Sequence, residues 1–241
     1  MSITEIKRSK IFDGDTIFYS HDSNVTKTKM NFSVFKPKCE KIESAIIWLS
    51  GLTCNEENFI TKAGAQRYLK DTHTMIICPD TSPRGLHLPG EHESYDFGSG
   101  ASFYLNATSD DYKENYNMYD YITKELVALI KTEFGAAKFS IMGHSMGGHG
   151  ALVIGLRELG LFESVSAFSP LVNPTACAWG KKAFAGYLQS DNEAKAYDAT
   201  ELVKNGHKRS DRILIDQGLK DEFLEKELLT ENFKAACSDN N

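Results

Sequence analysis

The chain has 241 residues, enough for one large α/β unit with a substantial buried core. Apolar residues make up 41% and charged residues 25%, the balance of an ordinary folded protein rather than a disordered one. A formal charge of -6, with no Lys/Arg cluster, argues against nucleic-acid binding, and no apolar stretch reaches the length of a membrane span.

In chain order, the first fifty residues read as strand-rich. Thr16–Tyr19 and the alternating Met30–Phe35 predict antiparallel strands at a sheet edge, and Ala45–Leu49 predicts a strand buried on both faces. Asn55 is placed to cap a helix opening with Glu56 and Glu57, whose charges suit its positive end. Thr74–Cys78 predicts the next strand. Met118, Ile122, Leu126, Leu129 and Ile130 share one face of a helix. A strand over Phe139–Met142 follows, then a buried helix from Gly147, a strand over Ser164–Phe168, a helical region, a strand over Arg212–Ile215, and one more helix from Phe223 to Cys237. This alternation predicts a mostly parallel sheet with helices on both faces, one domain over residues 1–241, and a ligand site at the carboxyl ends of the strands. Met1–Glu5 begins no secretory signal. Five widely spaced cysteines without C-x-x-C read as free thiols of a reducing compartment, so a cytoplasmic address is expected and neither a disulfide frame nor a metal site.

Gly143-His144-Ser145-Met146-Gly147 spells G-x-S-x-G between the predicted strand and helix. A serine on that turn is lifted above the sheet on a sharp bend, and the two glycines leave room for it. Ser145 is therefore the expected nucleophile. Acyl transfer also needs donors for an oxyanion. The backbone N–H of Met146 supplies one, and Leu52, in the loop Ser50–Cys54 after the Ala45–Leu49 strand, is nominated for the other. For the acid that orients a base, Asp221 follows the Ile213–Ile215 strand by a short loop, with Asp216 at the strand end as its nearest competitor. The base is harder to place. Of seven histidines, His144 points elsewhere on the turn and His149 belongs to the packed helix. His87 and His92 lie in a loop beside the pocket, and His21, His73 and His207 read as surface residues. All precede Asp221, where this chain order calls for one after it.

Several segments carry a family resemblance: Leu49–Phe59, Pro79–Gly85, Pro89–Glu91, Asp96–Gly98, Gly143–Leu152, Phe168–Pro170, Trp179-Gly180 and Ile213–Gly218. In these the chain resembles the S-formylglutathione hydrolases, the esterase D family of serine esterases with the α/β-hydrolase fold. The resemblance implies hydrolysis of S-formylglutathione to glutathione and formate, the closing step of formaldehyde detoxification. It also implies activity on short carboxylic esters, no cofactor, a small-molecule partner and a homodimer. It places the nucleophile on Ser145, the acid on Asp221 rather than Asp216, the oxyanion donors on Leu52 and Met146, and Trp179 near the acyl pocket. Cys54, beside the oxyanion loop, is expected at the pocket edge, where a thiol reagent would crowd it. Two departures stand out. Ser102 and Asn106 occupy positions where the family usually has Gly and Asp. The family also continues beyond the position matching Cys237 with a strand, a loop carrying the catalytic histidine and a closing helix, so the resemblance implies either a fragment or a product without its base. The expectations that follow are an uncovered sheet edge, lower stability and a broken triad's residual rate. Two other readings are an acyltransferase on the same scaffold and a catalytically inert binding protein.

Overall fold

The computed structural model describes residues 2–240. Eight strands form one sheet in the order β1-β2-β3-β5-β4-β6-β7-β8. They are β1 (Thr4–Ile11), β2 (Gly14–Asp22), β3 (Lys29–Lys36), β4 (Ser44–Leu49), β5 (Thr74–Pro79), β6 (Lys138–His144), β7 (Val165–Phe168) and β8 (Ile213–Asp216). β1, β2, β3 and β5 pair antiparallel, while β5, β4, β6, β7 and β8 run parallel. The mostly parallel sheet with antiparallel N-terminal strands is the arrangement expected from the alternation. β1 was not individually legible. Every one of its residues is exposed, so no apolar face marks it, and it is held by pairing with β2 across a two-residue turn, Phe12-Asp13, with both φ positive.

The core lies where the apolar runs predict it. Ala45, Ile47, Leu49, Ile141 and Val165 are buried on the parallel strands, and the helix Met146–Arg157 lays Leu152, Val153, Ile154 and Leu156 against them. Each such side chain contributes roughly 1.5–3 kcal/mol on burial. The Met118–Ile130 stripe does form a helix: Met118–Asp120 leads through a π turn, Tyr121–Leu126, into Val127–Phe134. Helices Ala178–Tyr187, Asp191–Ala196 and Ala199–Lys204 fill the helical region before β8. β8 edges the sheet among the described residues, and its Leu214 is 55% exposed.

Three local expectations need correction. Phe223–Cys237 is not one helix. A π turn over Leu224–Leu228 gives the Leu228 carbonyl to Val172 N–H, Leu229 swings to φ 55°, and a new helix, Thr230–Asp239, begins. The helix after β4 is Glu57–Lys62; Asn55 Oδ1 does take the Glu57 N–H (3.0 Å), but Glu56 is buried and its carboxyl is pushed up by that burial. His21 is no surface residue. It lies on β2, stacks on Tyr121 with its Nε2 3.1 Å from the phenol oxygen, and has Nδ1 3.6 Å from Glu125 of the π turn.

Burial lowers the pKa of both His21 and His149. Each therefore binds its proton more weakly when folded than when unfolded, where 6.5 is the ordinary value. The stability they contribute is present above that value and lost as pH falls below it. Urea midpoints are expected to drop between pH 7.5 and 5.5, and a midpoint that held or rose would contradict this. All five cysteines are free thiols, and among the described residues no helix is long and apolar enough to cross a membrane.

Candidate active site

The strand register brings the site together. His144 of β6 lies beside Phe168 of β7, which lies beside Asp216 of β8, so the turn bearing Ser145 and the loop leading to Asp221 leave the sheet at the same carboxyl edge. The next residue, Ser145, has φ 57° and ψ -118°, a conformation L side chains rarely adopt. The surrounding hydrogen bonds over-determine it. Ser145 N–H donates to the Phe168 carbonyl (2.9 Å), and the Ser145 carbonyl accepts from His149 N–H (2.9 Å) and Leu171 N–H (3.3 Å). Strain of this kind costs about 1–3 kcal/mol and persists where surrounding structure holds it. Ser145 is half-buried, and among the described residues nothing hydrogen-bonds its hydroxyl.

The glycine at 147 allows the bend to meet β4. A Cβ there would stand 1.9 Å from the Leu49 carbonyl oxygen. The loop after β4 presses on the serine from the other side, since a Cβ on Gly51 would lie 3.2 Å from Ser145 Cβ. Among the described residues no backbone carbonyl takes the N–H of Leu52 or of Met146, the latter being the first residue of the helix and lying at its positive end. Both N–H groups belong to segments that adjoin Ser145, one next to it in the chain and one in the loop after β4. A hollow of about 440 Å³ is lined by Trp48, Ser50, Gly51, Phe59, His144 and Phe168 among others; it takes in the chain neighbours of Leu52 and Ser145, and not Leu52, Ser145 or Met146 themselves. A larger hollow, about 750 Å³, lies between β8 and the last helix and includes neither Ser145 nor Asp221.

Asp221 is half-buried at the end of the β8 loop. Its Oδ1 accepts from Phe223 N–H (3.0 Å), whereas Oδ2 has only a long 3.5 Å approach from Gln217 Nε2, leaving room for another donor. Asp216 is exposed, and its carbonyl is used by Ser169 N–H (2.7 Å), so its place is in the strand ladder. Trp179 is half-buried with its ring 4.9 Å from Phe223, against the acid loop. Cys54 is half-buried and burial pushes its thiol pKa up, which makes it a weak nucleophile at neutral pH.

None of the seven imidazoles hydrogen-bonds Ser145 or Asp221. His149 is fully buried with Nε2 2.6 Å from the Tyr197 carbonyl, as its helix position implied. His144 feels Asp221, whose charge works to raise its pKa, but the larger effect is burial, which lowers it. His87 and His92 face each other on the exposed loop, rings 6.0 Å apart, and His92 Nε2 lies 3.1 Å from the Leu86 carbonyl. Ser102, one of the two departures, is buried and donates to the Thr81 carbonyl (2.8 Å); Asn106 Oδ1 accepts the Asp120 N–H (3.0 Å).

A serine on a strained strand-to-helix turn, at the carboxyl edge of this sheet, defines the class: an α/β-hydrolase-type fold. The family model described as "Putative esterase" matches residues 23–241. The chain is 49% identical over 245 residues to an S-formylglutathione hydrolase of Bos taurus, covering 99% of this chain and 87% of the relative. It is 49% identical to that of Arabidopsis thaliana, covering 98% and 85%. A solved S-formylglutathione hydrolase from Agrobacterium tumefaciens superimposes with a TM-score of 0.92 at 41% identity, over 96% of this chain and 85% of that one. The chain belongs to the S-formylglutathione hydrolase family of esterases.

Proposed function

We propose that the protein hydrolyses S-formylglutathione to glutathione and formate, and short-chain carboxylic esters by the same route. The observation that carries this is the strained Ser145 on its strand-to-helix turn, with the N–H groups of Leu52 and Met146 free of backbone acceptors among the described residues, in a chain half identical to named S-formylglutathione hydrolases. Ser145 Oγ attacks the formyl carbonyl while the two N–H groups hold the oxyanion. Collapse of the tetrahedral intermediate expels the glutathione sulfur, which takes up the serine's proton, and water then releases formate from the formyl-serine. The open Oδ2 of Asp221 is assigned the orienting of a base that would carry that proton, and none of the seven histidines stands against it. Trp179 and Cys54 are assigned to the pocket wall. The same proposal assigns the reaction to formaldehyde detoxification in the cytoplasm, by one α/β-hydrolase domain over 1–241 acting as a homodimer, with no nucleic-acid or membrane partner.

Loss of thioester absorbance from synthetic S-formylglutathione tests this directly. The protein is expected to exceed its Ser145→Ala variant at every substrate concentration. Equal rates would remove the hydrolase reading.

A further inference from the structure

The loop that presents Leu52 is held only in part by apolar packing, Leu52 leaning on the core from the side. Thr53 is exposed with φ 64°, and Leu52 and Cys54 are only half-buried. Polar ties supply the rest. Tyr104 Oη–H donates to the Ser50 carbonyl (2.9 Å), and Thr53 N–H to the Gly100 carbonyl (2.9 Å). The densest tie is at the Cys54 carbonyl, two residues beyond Leu52. It accepts from Thr81 Oγ (2.5 Å) and from Arg84 Nη2 (3.0 Å) at once.

Both donors belong to the segment Asp80-Thr81-Ser82-Pro83-Arg84 after β5, to which the chemistry above gives no task. Asp80 is the post on which they hang. Its buried carboxylate takes Arg84 Nε and Nη2, each at 2.8 Å, and the Thr81 N–H at 2.6 Å. Its own N–H is tied to the Asn31 carbonyl of β3 (2.9 Å). Ser102 fixes Thr81 from behind through its carbonyl. The guanidinium fork is needed here because one planar group must meet two carboxylate oxygens and a carbonyl together, which an ammonium on a flexible stem does not do.

We propose that Thr81 and Arg84, braced by Asp80, are positioning residues for the acyl-transfer reaction: they set the Cys54 carbonyl, and through it the direction in which Leu52 N–H points. The inference rests on the reading of Leu52 as an oxyanion donor. Its effect falls on turnover, because a misdirected donor weakens the transition state more than the ground state. Arg84→Lys keeps a counter-charge beside Asp80 and Thr81→Val keeps the shape of the side chain, so both are expected to retain the fold.

For each variant, kcat on p-nitrophenyl acetate is expected to fall about tenfold at unchanged KM, as for a donor displaced but not removed. The rate of Ser145 labelling by a fluorophosphonate is expected to fall in parallel, and amide hydrogen exchange in residues 50–55 to quicken. A role confined to balancing the Asp80 charge would leave Arg84→Lys with wild-type kcat, and that result overturns the proposal. So does wild-type exchange and labelling in Thr81→Val. A wild-type protein that does not label at Ser145 at all overturns the parent reading, and the positioning role falls with it.

Discussion

Ser145→Gly is expected to raise stability while abolishing the chemistry. Serine at φ 57° and ψ -118° carries strain that glycine does not feel. Relief of about 1–3 kcal/mol is partly offset by roughly 0.5–1 kcal/mol for the greater freedom of glycine in the unfolded chain. The net gain is about 1 kcal/mol, or roughly 2–4 °C in Tm for a chain of this size. The same change deletes the hydroxyl, so fluorophosphonate labelling is expected to vanish. Ester turnover should fall to whatever binding and the oxyanion donors supply without a nucleophile. Calorimetry beside labelling separates the two effects. A lower Tm would mean that the bend is not strained, and that the hydrogen bonds of residue 145 do not hold it against a preference.

Gly147→Ala is expected to do the opposite and damage both. The new methyl would stand 1.9 Å from the Leu49 carbonyl oxygen, 2.4 Å from its carbon and 2.7 Å from the Ser50 oxygen. These are backbone atoms, so no side-chain rotation relieves the contact. Either the helix lifts from the sheet or the end of β4 moves outward. The cost is about 3 kcal/mol or more, in the range of severe overpacking. Displacement of Leu49 and Ser50 also carries the Leu52 N–H away from the serine. A misplacement near one ångström costs on the order of 10²-fold in rate, and labelling is expected to slow to that degree in the fraction still folded. Gly218→Ala is the control: nothing lies within 4 Å of its added methyl, and its φ is not positive. It is expected to shift stability by less than about 0.5 kcal/mol. Equal midpoints for the two variants would mean that β4 and the nucleophile helix are not in the close contact on which the site depends.

The parts of this molecule that were legible in the sequence are those whose signal is local. The turn at Ser145 is carried by five consecutive residues between a strand and a helix. β4 announces itself by a continuous apolar run, and the Met118–Ile130 helix by its spacing. What was missed depends on partners far along the chain. His21 is buried because Tyr121 and Glu125, a hundred residues away, close over it. The break at Leu229 carries no glycine or proline to mark it; it forms because Val172 captures the Leu228 carbonyl. β1 has no buried face and exists through its ladder with β2. The Asp80-Arg84 spacing was in plain view, but the Cys54 carbonyl it serves lies thirty residues earlier, and no pattern of residue types points to a carbonyl. Folding converts such distant pairs into neighbours, and the positioning of a reactive loop is built largely from them.

A crystal structure of the fluorophosphonate adduct would bear most sharply on the proposed chemistry. The phosphorus is expected on Ser145 Oγ, with the phosphonyl oxygen about 2.7–3.1 Å from both Leu52 N and Met146 N. An adduct on another residue, or a phosphonyl oxygen turned to solvent away from those two amides, would contradict it.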